Sequence, residues 1–413
     1  MKILFIVNNF PLLSETFILN QITGLIDRGC DVDILANFKG GCQKVHENIL
    51  KYDLLSRTIY YDDISQKIPE SKFKRILGGA DIFFGSLIES NLKTKLKAVN
   101  FFKLGRHAIS LKPLYRMSAF SRRKPYDIAH CHFGPNGRLG LYLRDIGVVK
   151  GKVIVSFHGY DIGLYTRTHG IEAYGELFEK CDMITANSNF TINELKALGC
   201  KADKIVKIPM GLNTEKFRFQ EKRLAPGENM NLLTVARLVE KKGIDFTIRA
   251  LAEVVKKHQN IKYFIAGDGP LRGYLHELAV SLGLGNNIIF IGWQTDSDIV
   301  NLFSKCHVFI LTSITTPRGD HEGQGLVLQE AQASGLPVIC TRHNGFPESI
   351  VDGKSGFLVP EKDVNSISQK LLYLIENSDK WPEMGNAGRR HVRDHFDIDK
   401  LNDQLLRTYK HLN

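Results

Sequence analysis

Two glutamates eight residues apart, Glu322 and Glu330, stand at the start and in the middle of a stretch where an apolar run at 308–312 leads into a predicted helix at 326–334. A glycine-containing loop between a strand and a helix N-terminus offers free N–H groups at the positive end of the helix dipole, which favours an anion. Because a carboxylate repels a phosphate, the glutamates are expected to bind neutral hydroxyl groups. The stretch therefore suits a sugar nucleotide.

Two cations, Arg237 and Lys242, follow a predicted strand at 231–236. A guanidinium forms a two-pronged contact with phosphate, and an ammonium adds a point charge. Together they could stabilise a departing diphosphate without a metal, and such charge stabilisation is commonly the largest catalytic contribution. Gly267 and Gly269 follow the next predicted strand and are candidate ligand contacts. They lack the third glycine of a dinucleotide fingerprint, so NAD is disfavoured.

Polar side chains also lie where strands of the first half of the chain are predicted to end. Ser14, Glu15 and Thr16 follow the first strand, and His132 and His158 end two later strands. Ligands bind at the carboxyl ends of parallel strands, so these residues are expected to line a cleft. Ser14 and Glu15 could instead only cap the helix that begins beside them.

The sequence predicts no catalytic metal. His130 and His132 lie on one face of a strand, but no carboxylate or third histidine is nearby in the sequence. Asp-x-Asp pairs occur at 31–33, 296–298 and 397–399, and none of them follows the carboxyl end of a predicted strand.

Strands and helices alternate along most of the chain, which predicts an α/β fold with two doubly wound halves. The second half shows six strands separated by helices, with glycine and proline at the breaks. Residues 37–125 are less regular and partly helical. Residues 385–409 are predicted to form a pair of helices.

Several motifs resemble family 4 of the retaining glycosyltransferases, which have the GT-B fold. They are the two glutamates in Glu322-x7-Glu330, the Arg237-x4-Lys242-Gly243 loop, and the Pro11-x-x-Ser14-Glu15-Thr16-Phe17 opening. The last resembles enzymes of colanic-acid and exopolysaccharide synthesis, and it stands where many GT-B enzymes have a Gly-Gly loop. The resemblance implies two Rossmann-like domains with a cleft between them, at 1–212 and 213–392. Residues 393–413 would cross back onto the first domain.

The resemblance also implies roles for individual residues. Glu322 and His158 would orient the donor sugar, Arg237 and Lys242 would bind its diphosphate, and Glu330 would hold the ribose. The remaining donor-binding candidates are Gly267, Gly269, Gly323, Gly325, Leu326 and Val327. The acceptor-side candidates are Ser14, Glu15, Thr16 and His132.

The function implied is that of a metal-independent, cofactor-free hexosyltransferase that moves a sugar from a UDP- or GDP-sugar to a growing glycan with retention of configuration. The acceptor hydroxyl would attack from the face of the leaving group, and a donor phosphate oxygen would take its proton. Two alternatives remain: an epimerase or hydrolase of the nucleotide sugar, and a membrane-peripheral glycan-binding protein without activity.

Positive charge is concentrated in residues 72–124. This segment has thirteen Lys and Arg against Asp81 and Glu89, an excess equal to the net charge of +11 of the whole chain. Aromatic and aliphatic residues are interleaved with the charges, which is typical of a surface that binds anionic membranes or polyanions. A polyprenyl-diphosphate-linked acceptor would fit such a surface. A solvated helical insert is the alternative, and no nucleic-acid-binding motif is present.

The sequence is expected to be that of a cytoplasmic protein that associates peripherally with the inner face of the membrane. It has no run of 18 apolar residues. Its first seven residues read as a strand rather than a signal peptide. Seven scattered cysteines without a CxxC pair favour reduced, mostly buried thiols.

Overall fold

The computed structural model describes residues 1–12, 15–41, 46–84 and 92–412. Its strands are β1 Lys2–Phe10, β2 Asp31–Lys39, β3 Thr58–Tyr60, β4 Tyr126–His132, β5 Val149–Phe157, β6 Met183–Ala186, β7 Ile205–Lys207, β8 Met230–Val235, β9 Ile261–Ala266, β10 Ile288–Gly292, β11 Val308–Leu311, β12 Val338–Thr341 and β13 Gly356–Val359.

The α-helices are α1 Thr16–Asp27, α2 Glu47–Lys51, α3 Tyr61–Gln66, α4 Lys72–Phe84, α5 Leu92–Ala98, α6 Phe101–Leu104, α7 Arg106–Ile109, α8 Lys112–Ser118, α9 Gly134–Asp145, α10 Leu164–His169, α11 Gly175–Lys180, α12 Asn189–Ala197, α13 Ile244–Val255, α14 Arg272–Ser281, α15 Asp296–Lys305, α16 Leu326–Ala333, α17 Phe346–Ser349, α18 Val364–Glu376, α19 Trp381–His395 and α20 Ile398–Leu412.

Seven parallel strands form the sheet of the first lobe, in the order β3-β2-β1-β4-β5-β6-β7. The interior strands are almost continuous apolar runs, as expected when helices cover both faces of a parallel sheet. The strand order reverses between β1 and β4, and in such sheets the ligand crevice opens at that point. The loop after β1 and the end of β4 therefore lie beside each other at the crevice.

Six parallel strands form the sheet of the second lobe, in the order β10-β9-β8-β11-β12-β13. Here the order reverses between β8 and β11. Arg237 follows the first of these strands, and the stretch that begins at Glu322 follows the second. The prediction of two doubly wound α/β halves is confirmed, and all eleven predicted strands are present. The short strands β3 and β7 were not predicted.

Glycine is required where helix α16 begins. Gly325 occupies the N-cap position with φ of 71°, a left-handed conformation that side chains with a Cβ adopt at a cost. A Cβ at this position would also lie 2.5 Å from the ring of Phe346. The turn that points the start of α16 into the crevice therefore depends on this residue.

The last helix, α20, crosses back to the first lobe and packs on α1. Arg28, which directly follows α1, donates hydrogen bonds to the side chains of Asp399 and Asp403. Gly24 makes room for the buried side chain of Asn402. At the far end of the helix, the hydroxyl of Tyr409 lies 2.5 Å from Nδ1 of His130. The predicted crossing of the tail is present.

Six cysteines lie in the described residues, and all are unpaired and buried: Cys30, Cys131, Cys181, Cys200, Cys306 and Cys340. Burial raises the pKa of each of these thiols. Cys42 lies outside the described residues. Within the described part of the chain, no helix combines the length and the apolar composition needed to cross a bilayer.

Candidate functional site

The two lobes meet where the stretch before α16 contacts the end of β5. A Cβ at Gly323 would lie 2.4 Å from the carbonyl oxygen of His158, and one at Gly159 would lie 3.3 Å from the backbone of Gly323. Gln324 adds two hydrogen bonds across the lobes, because its side chain accepts from the N–H of Met210 and donates to the carbonyl of the same residue, both at 2.7 Å. The predicted donor-binding loop therefore lies against the first lobe.

Glu322 is held by two lysines. Its Oε1 lies 3.3 Å from Nζ of Lys241, and its Oε2 lies 3.0 Å from Nζ of Lys242. Although burial opposes the charged form, the two ammonium groups lower the pKa of Glu322 to about 2. Lys241 also pairs with Asp320 at 3.0 Å. The carboxylate is thus ionised at neutral pH and is a hydrogen-bond acceptor.

The backbone of Glu322 is fixed by a second layer of polar groups that the sequence analysis did not identify. Its N–H donates to Nε2 of His343 at 3.1 Å, and its carbonyl accepts from Asn344 at 2.7 Å. Since Nε2 of His343 is an acceptor, the ring carries its proton on Nδ1, which lies 2.5 Å from Oε1 of Glu361. These contacts hold the position of the loop.

Arg237 is exposed at the end of β8 and makes no ion pair with a described residue. It lines a cavity of about 130 Å³ together with Gly267 and Trp293. Gly267 has φ of 129°, and a Cβ there would lie 1.9 Å from the carbonyl oxygen of Ala236. Gly269 packs in the same way on the carbonyl of Leu238. Both predicted glycines therefore allow neighbouring strand ends to approach each other beside the free guanidinium.

Helix α16 carries the other predicted donor contacts. Leu326 and Val327 occupy its first turn, where backbone N–H groups have no acceptor within the helix. Glu330 lies one turn later, and burial raises the pKa of its carboxyl to about 7. The ion pair between Lys216 and Asp296 lies close enough to affect this carboxyl. The helix therefore presents free amides and a protonatable carboxyl along one side.

His158 lies at the end of β5, and its backbone is held by Asp161. The buried carboxylate of Asp161 accepts hydrogen bonds from the N–H groups of His158, Gly159 and Gly134. Nε2 of His158 lies 3.0 Å from Nδ1 of His132. The expectation that His132 contacts an acceptor is corrected, because its side chain is fully buried and lies behind His158.

The opening segment after β1 is only partly described. Ser14 lies outside the described residues, so its predicted role is not addressed by the structure. Glu15 stands at the N-cap position of α1, but its side chain makes no capping hydrogen bond there. Burial raises the pKa of Glu15 to about 7. Thr16 is the first residue of α1.

Metal-binding groups are not clustered in the described residues: no group of three or more His, Cys, Asp or Glu side chains could hold an ion. The Asp-x-Asp pairs have structural partners instead. Asp33 pairs with Arg123, Asp298 completes a capping box with Thr295, and Asp397 accepts from Thr214.

Two family models cover most of the chain. Glycosyltransferase Family 4 matches residues 14–216, and Glycosyl transferases group 1 matches residues 215–391. The chain is 33% identical to the putative colanic acid biosynthesis glycosyltransferase WcaL of Salmonella typhimurium, over 98% of both chains. The chain belongs to the family 4 glycosyltransferases. It is also 33% identical to the amylovoran biosynthesis glycosyltransferase AmsK of Erwinia amylovora, over 96% of both chains.

The fold agrees with that of a solved structure over its whole length. The crystal structure of Anabaena HepE in complex with UDP aligns over all of both chains with a TM-score of 0.74, at 18% identity. The two sheets and the cleft between them are therefore those of a GT-B glycosyltransferase, as the sequence predicted. In this family 4 glycosyltransferase, the loop of Gly323 lies against His158 where the two lobes meet.

Proposed function

We propose that this glycosyltransferase moves a hexosyl group from a UDP- or GDP-sugar to a lipid-linked glycan during the synthesis of an exopolysaccharide, capsule or O-antigen. The observation that carries the proposal is the arrangement around Glu322: an ionised carboxylate, two lysines, the free start of α16 and His158 converge where the lobes meet. The relatedness to the colanic-acid and amylovoran enzymes supports the polysaccharide context.

The chemistry proposed is transfer with retention and without a metal. Glu322 is a poor nucleophile, because two ammonium groups stabilise its negative charge. Its role is to accept hydrogen bonds from sugar hydroxyls. The acceptor hydroxyl then attacks from the face of the leaving diphosphate, and a phosphate oxygen takes its proton. Arg237, Lys242 and the first amides of α16 stabilise the charge that develops on the diphosphate.

In this scheme, Glu322 and the bound diphosphate both attract the ammonium group of Lys242. Its Nζ lies 3.0 Å from Glu322, and a bound diphosphate would compete for the same ammonium. Arg237 has no described carboxylate partner to leave. We therefore expect Arg237 to give the more direct measure of the diphosphate contact.

The first experiment is a screen of UDP- and GDP-sugars for thermal stabilisation, followed by transfer assays with Arg237→Ala. A ligand at 100 times its Kd stabilises a protein by about 2.7 kcal/mol.

The Arg237→Ala substitution should lower the rate of transfer by about 100-fold or more, in the range found for other preorganised charge donors. Arg249→Ala, on the exposed side of α13, is the control. Equal activity of the two variants would contradict the diphosphate role, and rapid donor breakdown without acceptor would favour a hydrolase or epimerase.

We further propose that the first lobe binds an anionic membrane surface at the inner leaflet. Eight large hydrophobic side chains of the segment 72–124 are exposed: Phe73, Ile76, Leu77, Phe84, Leu96, Phe101, Phe102 and Ile109. Six exposed cations of the same segment make no ion pair with a described residue: Lys72, Lys74, Lys97, Lys112, Arg122 and Lys124. Apolar residues beside cations are the pattern that interfacial segments use to enter lipid headgroups.

Other cations of this segment stabilise the fold, so substituting them would not test the membrane-binding surface alone. Arg75 is buried and donates to the carbonyls of Pro69, Glu70 and Ser110. Lys95 is buried and donates to the carbonyl of Phe83. Arg123 forms an ion pair with Asp33 and is unsuitable for the same reason.

Vesicle sedimentation tests the surface directly. The protein should bind vesicles that contain anionic lipid at low salt and leave them as salt rises, since each surface cation contributes about 1 kcal/mol within a Debye length. Phe102→Ser, at a residue that is 99% exposed, should weaken binding, and so should Lys72→Glu with Lys74→Glu. Ile171→Ser, at a 70% exposed residue of the same lobe outside the segment, is the control. If the wild-type protein fails to bind anionic vesicles at low salt, the proposed membrane-binding surface is wrong. This result would not affect the proposal for the donor site.

A further inference from the structure

Lys241 and Lys242 are neighbours in the chain and both contact Glu322, but their other partners differ. Nζ of Lys241 also lies 3.0 Å from the carboxylate of Asp320 and 3.3 Å from the carbonyl oxygen of His321. Three oxygen atoms therefore lie around an ammonium group that has three N–H donors. Among the described residues, Lys242 has Glu322 as its only carboxylate partner. Lys241 is thus held in place more firmly than Lys242.

The segments on either side of Lys241 are anchored to the loop after β11. The N–H of Asp320 donates to the hydroxyl of Thr316, and its carbonyl accepts from the N–H of Thr316, both at 3.0 Å. The turn at 240–242 is tied to the same loop, because the carbonyl of Lys241 accepts from the N–H of Ile314 at 2.9 Å. Both the backbone of Lys241 and its carboxylate partner are therefore fixed.

Glu322 needs a cation beside it to remain ionised. Its side chain is mostly buried, and burial by itself would raise the pKa of its carboxyl, an effect that the two lysines reverse. A bound diphosphate would attract Lys242, since no second carboxylate of the described chain holds that ammonium group. The charge of Lys241 already faces Asp320 and is less available to the diphosphate.

We propose that Lys241 is a positioning residue, which stays with Glu322 and keeps its carboxylate ionised and in place while Lys242 moves to the diphosphate of the donor. The inference rests on the proposed transferase function for the identity of the donor. Asp320 holds Lys241 in the position from which it contacts Glu322. The two adjacent lysines thereby have separate roles, one toward the carboxylate and the other toward the phosphate.

Other charged or titratable groups surround the loop of Glu322, besides the two lysines: Asp320, His321, His343, Glu361, His158 and Glu330. Burial lowers the pKa of the three histidines and raises that of Glu330 to about 7. A Glu322 carboxyl without a cation would titrate in a range similar to that of Glu330. Because these groups are shared by the wild-type protein and the lysine variants, a difference between these proteins excludes their contribution.

Proton uptake on nucleotide binding tests the role of Lys241 without a transfer assay. Calorimetric titration of the full-length protein with UDP or GDP, in buffers of different ionisation enthalpy, measures this uptake. In Lys241→Gln, the movement of Lys242 would leave a buried carboxylate without a cation, so Glu322 should bind a proton. We expect about one more proton per nucleotide at pH 6 than in the wild-type protein. The double variant Lys241→Gln with Glu322→Gln should lose this additional uptake.

The pH dependence of kcat gives a second measurement, because it reports the enzyme with its substrate bound. Relative to the wild-type enzyme, Lys241→Gln should lose about tenfold more kcat at pH 6 than at pH 8, since protonation of Glu322 increases as the pH falls. Lys241→Arg keeps the cation and should keep the wild-type profile. A loss that is equal at all pH values would show a merely structural role and contradict the proposal.

Two further variants complete the test. Asp320→Asn, at a partly exposed residue, should also increase proton uptake, because Lys241 would then be free to follow Lys242 to the diphosphate. Lys257→Gln is the control, at an exposed lysine without an ion pair to a described residue.

The outcomes separate this inference from the proposed function. If the wild-type protein binds UDP or GDP, and Lys241→Gln takes up no more protons than it does, the inference alone is overturned. If the wild-type protein binds neither nucleotide, the proposed function is wrong and the inference falls with it.

Discussion

Glu322 lies in the loop before α16 and Glu330 lies within that helix, and their electrostatic surroundings differ. Two lysines lower the pKa of Glu322 to about 2, whereas burial raises that of Glu330 to about 7. The first therefore keeps its charge under all physiological conditions. The second changes its charge near neutrality, and only its ionised form has two acceptor oxygens to offer the ribose diol that we propose it binds.

We predict that nucleoside diphosphate binding depends on pH through Glu330. With a pKa of about 7, the carboxyl is protonated below neutrality and ionised above it, so affinity should be about tenfold weaker at pH 6 than at pH 8. Calorimetric titrations at the two pH values measure the effect. Glu330→Gln should bind weakly at both pH values. Glu322→Gln should retain the wild-type pH dependence of binding while transfer is lost.

A Glu330→Gln variant whose affinity still changes tenfold between the two pH values would assign the titration to another group. The phosphate's own ionisation is present in all three proteins, so comparison between them removes its contribution.

At the scale of elements, the tail helix α20 depends on a close approach to α1. A Cβ at Gly24 would lie 1.9 Å from the amide nitrogen of Asn402, which is buried and donates to the carbonyl of Asn20. We predict that Gly24→Ala destabilises the protein by about 1–2 kcal/mol, because overpacking outweighs the better helix propensity of alanine.

The thermal unfolding midpoint and limited proteolysis between α19 and α20 measure this effect. Gly273→Ala in α14 is the matched control, because nothing lies within 4 Å of the added Cβ. It should be neutral or slightly stabilising. A Gly24→Ala variant that is as stable and as resistant to protease as the control would show that the tail is not packed as described.

The elements show which features a single sequence can predict. Strands such as β1 and β11 were predicted because buried parallel strands are continuous apolar runs bounded by turns. Strand β3 has only three residues, too few for any periodicity. The roles of Arg237, Lys242 and Glu322 were inferred from motifs that follow strand ends, where position along the chain fixes position in the sheet.

Other contacts could not be predicted because distant segments create them. His343 lies 21 residues beyond Glu322, and only the approach of the loop after β12 makes it an acceptor for that backbone. Alternation along β4 predicted that His132 lies on the same face as His130. It could not predict that α20 covers this face. Tyr409 of that helix is 279 residues from His130.

At the scale of the whole molecule, small residues allow the two lobes to contact each other closely. His321 of the second lobe packs against Phe190, and a Cβ at Gly163 would lie 2.5 Å from its ring. Arg167 packs in a similar way on Gly319. Lys207 and the N–H of Asn189 both contact Glu348 across the lobes.

We predict that Gly163→Ala separates the lobes, because the methyl group and the ring of His321 cannot occupy the same space. Transfer should fall by about tenfold or more, since small displacements of reacting groups are costly. Nucleoside diphosphate binding should remain, and small-angle scattering should show a larger radius of gyration. Gly41→Ala, with nothing within 4 Å of the new Cβ, is the control. Wild-type scattering and turnover in Gly163→Ala would refute the role of this contact.

Because the six described cysteines are buried, cysteines introduced at exposed positions can be labelled selectively to measure movement of the lobes. Maleimide reagents react with exposed thiolates, and these thiols are covered and have raised pKa values. With Cys42 replaced by serine, new cysteines at the exposed positions Lys196 on α12 and Gln369 on α18 would be the accessible sites in the described chain. A fluorescent donor and acceptor attached there would report the distance between lobes by resonance energy transfer, one molecule at a time, as nucleotide is added.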